Sequence, residues 1–203
     1  VQEWEISANE FVIAERGHRE LFGFTEDQAR TAFLTEAPNL GTPNLRQAGL
    51  QADYVIITPE MFLEQAQRIK DLRENQVSAD EQLTVEIVNI EDIYNEFSAG
   101  TQDPAAIKHF LHYAYFNWRA PRLHYVLLLG DTDYDYRNIT GQSKMRIPTY
   151  QKDGNTDVSS YPTDDRYSHI ASGIWDRLPD LALGRLPAQT PDQLAIMVDK
   201  IIS

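Results

Sequence analysis

Residues 123–135, LHYVLLLGDTDYD, constrain the fold more than any other stretch. Tyr125 to Leu129 offer no polar face, so as a strand they need cover on both sides, the situation of a central strand in a parallel sheet. The run stops at Gly130 and opens into carboxylates. In open α/β sheets ligands sit beyond the carboxyl ends of the strands, which puts Asp131, Asp133 and Asp135 on the functional edge of such a fold.

The flanking sequence supplies the alternation that a parallel sheet requires. Residues 53–58, DYVIIT, read as a buried strand, followed by a helix to about residue 73 that Thr58 caps and Pro59 opens. Phe62, Ala66, Ile69 and Leu72 fall on one face of that helix. Residues 83–88, LTVEIV, alternate and predict a wetter, edge-like strand. A short helical turn stopped at Gly100 follows, then a helix capped by Asp103, with Pro104 in its first turn and Ile107, Phe110, Leu111, Ala114 and Trp118 as its apolar stripe. The sheet resumes at residues 180–185, DLALGR. Thr190 and Gln193 then have capping-box spacing, with Leu194, Met197 and Ile201 facing inward. The expected architecture is an α/β three-layer sandwich with a mainly parallel four-stranded sheet. Residues 1–36 read as a short β-rich or irregular segment. The Pro, Gly and Asn of residues 37–50 mark a linker, with a boundary near residue 50. Residues 131–179 lack a strong period and carry scattered acids and tyrosines, as loops that bind, cover a site or hold unrecognised structure do.

The totals exclude whole classes of function. With 31 acidic and 18 basic residues the formal charge is −13, which argues against nucleic acid or an anionic membrane surface as partner. There is no cysteine, hence no disulfide, no Cys-ligated metal and no thiol nucleophile. No apolar run is long enough for a membrane span. The sequence starts without Met and stops inside a helical pattern, as expected of a piece of a longer polypeptide from which a signal peptide has been removed.

Two acidic groups are candidate metal ligands. Asp131, Asp133 and Asp135, at alternate positions past a strand, resemble an oxygen-donor loop for Ca²⁺ or Mg²⁺, but lack the central Gly and final Glu of a calcium-binding helix-loop-helix. Asp164 and Asp165, in SYPTDDRY, form the second group, and would meet Asp131 if the long loop folds back. Either group is equally readable as carboxylates that cap and brace the loop through backbone N–H groups. His109 and His112, three apart on the polar side of a helix, are half of a metal site at most. Ser168 and His169 are adjacent but have no third partner of a triad. The glycines make no phosphate or dinucleotide loop, because TPEMF follows the first strand.

Four stretches, ADYVIITPEMF, IYNEFSAGTQDPAAIKHFL, YVLLLGDTDYDYRN and SYPTDDRY with DLALGRLPAQTPDQLAIMVDKII, together resemble gingipain-like cysteine peptidases of the caspase-like clan, and within them the type IX secretion sortase, in order and spacing. The resemblance implies that residues 37–203 are the first α/β subdomain of a peptidase domain and residues 1–36 the end of a β-rich region before it. It also implies a bacterial surface or secreted location, with cleavage of C-terminal secretion signals as one activity. The family's catalytic His, in a His-Gly motif, and its catalytic Cys belong to a second subdomain. Neither motif occurs here, so no catalytic residue transfers. The implied partners are that second subdomain of the same parent chain and a protein or peptide substrate. No cofactor is required, and calcium, as in some relatives, is the candidate ion. The competing readings are a stand-alone acidic protein- or cation-binding domain and a metal-dependent hydrolase using the aspartates.

Overall fold

The computed structural model describes residues 44–75, 82–135, 138–141, 143, 146–152, 161–171 and 178–203. The chain divides into two units, Val1–Leu40 and Gly41–Ser203, and all described residues lie in the second. The expectation for residues 1–36 falls outside the described residues.

Five-residue strands β1 (Tyr54–Thr58), β2 (Val85–Asn89) and β3 (Tyr125–Leu129) alternate with helices α1 (Leu63–Glu74), α2 (Ile90–Phe97) and α3 (Pro104–Asn117). Two three-residue strands follow, β4 (Tyr150–Lys152) and β5 (Tyr161–Thr163), then α4 (Asp165–Ser168), β6 (Ala182–Leu186) and α5 (Pro191–Ile202). The main sheet has the order β2-β1-β3-β6, and every pairing in it is parallel. Strands β4 and β5 form a separate antiparallel ribbon. The expected four-stranded parallel sheet is therefore present, with 83–88 on an edge as its alternation suggested.

Side-chain alternation along the strands divides the core into two layers. Val55, Ile57, Val126 and Leu128 face α2 and α3 and bury Ile93, Tyr94, Ile107, Phe110 and Leu111. Tyr54, Ile56 and Leu129 face α1 and α5 and bury Phe62, Ala66, Ile69, Leu194 and Val198. The connection from β1 to β2 moves one way with α1 on one face, whereas that from β2 to β3 moves the other way with α2 and α3 on the opposite face. A single handedness of crossover demands this.

Local signals set most of the boundaries. Asp103 accepts from the Ala105 N–H ahead of Pro104, and Thr190 accepts from the Gln193 N–H ahead of Pro191. Gly100, at φ +79°, returns its N–H to the Tyr94 carbonyl and ends α2. Three details differ from expectation. Thr58 does not cap: its hydroxyl turns to the Pro59 carbonyl, and a 3₁₀ turn, Glu60–Phe62, precedes α1. The fully buried strand is β1, because Tyr125 lies at the amino end of β3 and is 44% exposed. In α5 the inward residues are Leu194 and Val198, whereas Ile201 is exposed.

Two buried tyrosines make a natural control pair. The Tyr167 hydroxyl donates to the Pro148 carbonyl at 2.9 Å. The Tyr94 hydroxyl is buried and has no hydrogen-bond partner among the described residues. Burial pushes both phenols above their ordinary value. Tyr94→Phe removes only an unpaired polar atom, so urea unfolding should show unchanged or slightly raised stability, while Tyr167→Phe should cost about 1 kcal/mol. Because the folded state favours the neutral phenols, this contribution is complete below the ordinary phenol value of about 10 and is lost as pH rises above it. Alkaline unfolding of Tyr94→Phe should accordingly shift to higher pH.

Candidate functional site

The carboxyl ends of β3 and β6 meet the loops that follow them, and one side chain joins the two. Arg185 stands in β6 opposite Leu128, on the α2/α3 face. Its Nε and Nη2 each donate to Asp164, at 2.7 Å, in a two-pronged ion pair. Its Nη1 donates to the Gly130 and Ile147 carbonyls at 2.8 and 3.0 Å, and Nη2 also donates to the Pro148 carbonyl at 3.2 Å. These contacts use all five guanidinium N–H groups, the full donor capacity of arginine. The pair is largely shielded, with side-chain exposures of 11% for Arg185 and 22% for Asp164. The Thr149 hydroxyl donates to Asp164 as well.

Asp131 serves the same junction from the other side. Its N–H donates to the Ala188 carbonyl, and its own carbonyl accepts from the N–H groups of Arg146 and Ile147. Its carboxylate accepts from the Thr132 N–H and from Gln189 Nε2. Arg146 Nε returns to the Gln189 carbonyl. The chain passes so close here that a Cβ on Gly130 would lie 2.5 Å from the Cβ of Arg146, and Gly130 has φ +144°. Only glycine fits that position.

Asp133 and Asp135 shape the tip of the loop. Asp133 accepts from the Asp135 N–H. Asp135 accepts from the N–H groups of Ile139 and Thr140 and from the Thr140 hydroxyl, each at 2.8 Å. These hydrogen bonds, the backbone N–H of Thr140 foremost, hold its carboxyl below the usual aspartate value. Asp164 and the Gly130 carbonyl both accept from Arg185, while Asp165 is exposed beside them. Among the described residues no group of three or more His, Cys, Asp or Glu is placed to hold a metal ion.

Among the described residues, Ser168 and His169 do not form a nucleophile–base pair. His169 Nδ1 lies 2.7 Å from the Asp165 carbonyl and must carry its proton there, so it is no acceptor for the Ser168 hydroxyl, which itself donates to the same carbonyl. His109 is exposed. His112 faces the Ile170 carbonyl and packs on Phe116.

Sequence reasoning passed over Arg185 and Gln189. An arginine within the strand ALGRL was the available signal, because a charge entering a sheet needs a partner.

The profile of Peptidase family C25 matches residues 47–203. The chain belongs to this family. It is similar to dimeric latent PorU from Porphyromonas gingivalis in its crystal structure, with 30% identity over 75% of this chain and a TM-score of 0.63. The match covers 15% of that PorU chain. No curated protein sequence matches. The family C25 match encloses the whole Arg185–Asp164–Asp131 junction, so the junction belongs to the C25 portion of the polypeptide.

Replacing Arg185 with Met should leave the Gly130 and Ile147 carbonyls without a donor and Asp164 without its counter-charge, and destabilise the fold by about 3 kcal/mol in chemical denaturation, and Arg185→Lys should recover only part of that loss. For Asp135, whose folded value is depressed, the stabilisation of the tip is present above the ordinary aspartate value and disappears as pH falls through the depressed one. The Ile139 and Thr140 amide resonances should titrate with a midpoint below that of an unstructured aspartate, and Asp135→Asn should abolish the titration.

Proposed function

We propose that residues 37–203 are the first, non-catalytic α/β subdomain of a cysteine peptidase domain, which supports a second subdomain carrying the reacting His and Cys. The observation that carries this reading is the match to a peptidase family by a chain with no cysteine in its sequence. A thiol peptidase needs a nucleophile, a base to activate it and donors for the oxyanion. This chain offers no thiol, and its one Ser–His neighbour pair has the wrong proton arrangement.

Its contribution is rigidity at the carboxyl edge. The Arg185 junction fixes the loop after β3 against the one before α4, so a companion subdomain would meet a preorganised wall, and such a wall raises rate without supplying a reacting atom. Similarity to PorU supports reading the parent as a bacterial surface or secreted protein, and we propose removal of C-terminal secretion signals as its reaction.

The test is to read the gene beyond codon 203 and express both forms. The 203-residue chain alone should hydrolyse no peptide, and the polypeptide continued through a His-Gly motif and a Cys should do so until that Cys is replaced by Ala. A stop codon after Ser203, or a continuation without a second α/β unit, would sink the proposal.

A further inference from the structure

Acid is missing from one stretch of this acidic chain. Of its 31 acidic residues none falls between Asp103 and Asp131, while Lys108, Arg119, Arg122 and three of the five histidines do. Most of that stretch is α3 and the turn into β3. Helix α3 buries Ile107, Phe110, Leu111 and Ala114, so its opposite side faces outward. Lys108, His112 and Phe116 recur there at intervals of four, the spacing that stacks side chains along one face of a helix. The rings touch in series, His112 on Phe116 with centroids 4.8 Å apart and Phe116 on Tyr115 at 5.1 Å.

The cations at the two ends of this row are held by rings, not by carboxylates. Arg122 lies 4.9 Å over the Tyr115 ring. At the other end α4 packs on α3, and Arg166 lies 4.7 Å over the Tyr150 ring. Lys108 is close enough to Arg166 that burial, and then that guanidinium, push its ammonium below the ordinary lysine value. The guanidinium groups of Arg46, Arg68, Arg146 and Arg185 each donate to an acceptor. Among the described residues those of Arg122 and Arg166 have none, and neither they nor Lys108 form an ion pair. The nearest acid in sequence to Lys108, Asp103, caps α3. A guanidinium stacked on a ring keeps its in-plane N–H groups free for a carboxylate. These side chains also meet solvent, since Phe116 is 51% exposed and His112, Arg122 and Arg166 are exposed.

We infer that Arg122, Tyr115, Phe116, His112, Lys108 and Arg166 form a docking strip for an acidic peptide segment of a partner protein, one whose carboxylates are interspersed with apolar residues. The inference goes beyond the proposed function and does not depend on it. Charge complementarity argues the occupant. Carboxylates take the free in-plane donors of Arg122 and Arg166 and offset the repulsion between Arg166 and Lys108. Apolar residues between them cover Phe116 and Tyr115, rings that gain nothing from contact with water. From Lys108 to Phe116 the helix advances about 12 Å. That is the reach of roughly four extended residues, so a short segment spans the row. A long polyanion fits badly. Past a Debye length of about 8 Å, a nucleic acid or an anionic membrane leaves the strip and meets the field of the rest of the chain. That field is repulsive, because the formal charge is −13.

Fluorescence anisotropy on the 203-residue chain tests this with a labelled peptide of Glu and Leu interspersed, against the same peptide with Lys in place of Glu. The acidic peptide should bind, and added salt should weaken it. Arg166→Glu should lower its affinity roughly tenfold or more, while Lys200→Glu, an equal change of net charge on α5, should leave it nearly unchanged. Phe116→Ser should weaken binding too, with circular dichroism unaltered in all three variants because each replaced side chain is exposed. Absence of binding, equal binding of the Lys peptide, or equal losses from Arg166→Glu and Lys200→Glu would overturn the proposal. Two other results would show that the occupant is wrong and overturn it as well. One is binding to phosphatidylglycerol vesicles that Arg166→Glu abolishes. The other is self-association of the chain, seen by sedimentation as concentration rises, that the same substitution abolishes.

Discussion

One guanidinium holds the carboxyl edge of this fold together. Arg185 takes the five donors of its side chain to one carboxylate and three carbonyls that belong to three separate points of the chain: Gly130 at the end of β3, Ile147 and Pro148 before β4, and Asp164 before α4. Those carbonyls lie in loops, where no ladder satisfies them, and a buried carbonyl left unpaired costs free energy. A lysine at this position would reach one or two of them. The planar fork reaches all, and so ties the end of β3, the approach to β4 and the start of α4 to β6.

The junction also explains the fate of the aspartates. A carboxylate just beyond a strand end finds partners among the donors that the loops bring to it. Asp164 gives both oxygens to Arg185 and one also to Thr149, Asp131 divides its oxygens between Thr132 and Gln189, and Asp135 spends its own on Ile139 and Thr140. Each is thereby a brace for backbone that would otherwise be unsatisfied, or a counter-charge for an inward arginine. Preorganised loops of this kind suit a subdomain whose part in catalysis is to be rigid.

The two faces of the sheet are covered by different helices. The α2/α3 face is closed, with Tyr94, Phe110, Leu111 and Tyr167 fully covered, and α4 completes it over β6. On the other face, α1 and α5 are tied by Arg68 to Asp199 at 2.6 Å and bury Ile56, Leu129, Leu194 and Val198 against the sheet.

The alternation of strands and helices, the caps at Asp103 and Thr190 and the stop at Gly100 were legible in the sequence, since each depends on contacts within a few residues. The family resemblance, too, lay in the order of its motifs. What the sequence could not convey was pairing at a distance. Arg185 and Asp164 are separated by β6's entire approach, Gln189 meets Asp131 across 58 positions, and the short ribbon of β4 and β5 has three-residue strands, one of them containing Pro162, too brief for a period to register. The sequence by itself determined an α/β fold with carboxylates at its functional edge, because hydrophobic period and capping are local physics. Only the tertiary structure decided that those carboxylates are spent on arginine, amides and hydroxyls, because where a charge finds its partner depends on how distant segments pack.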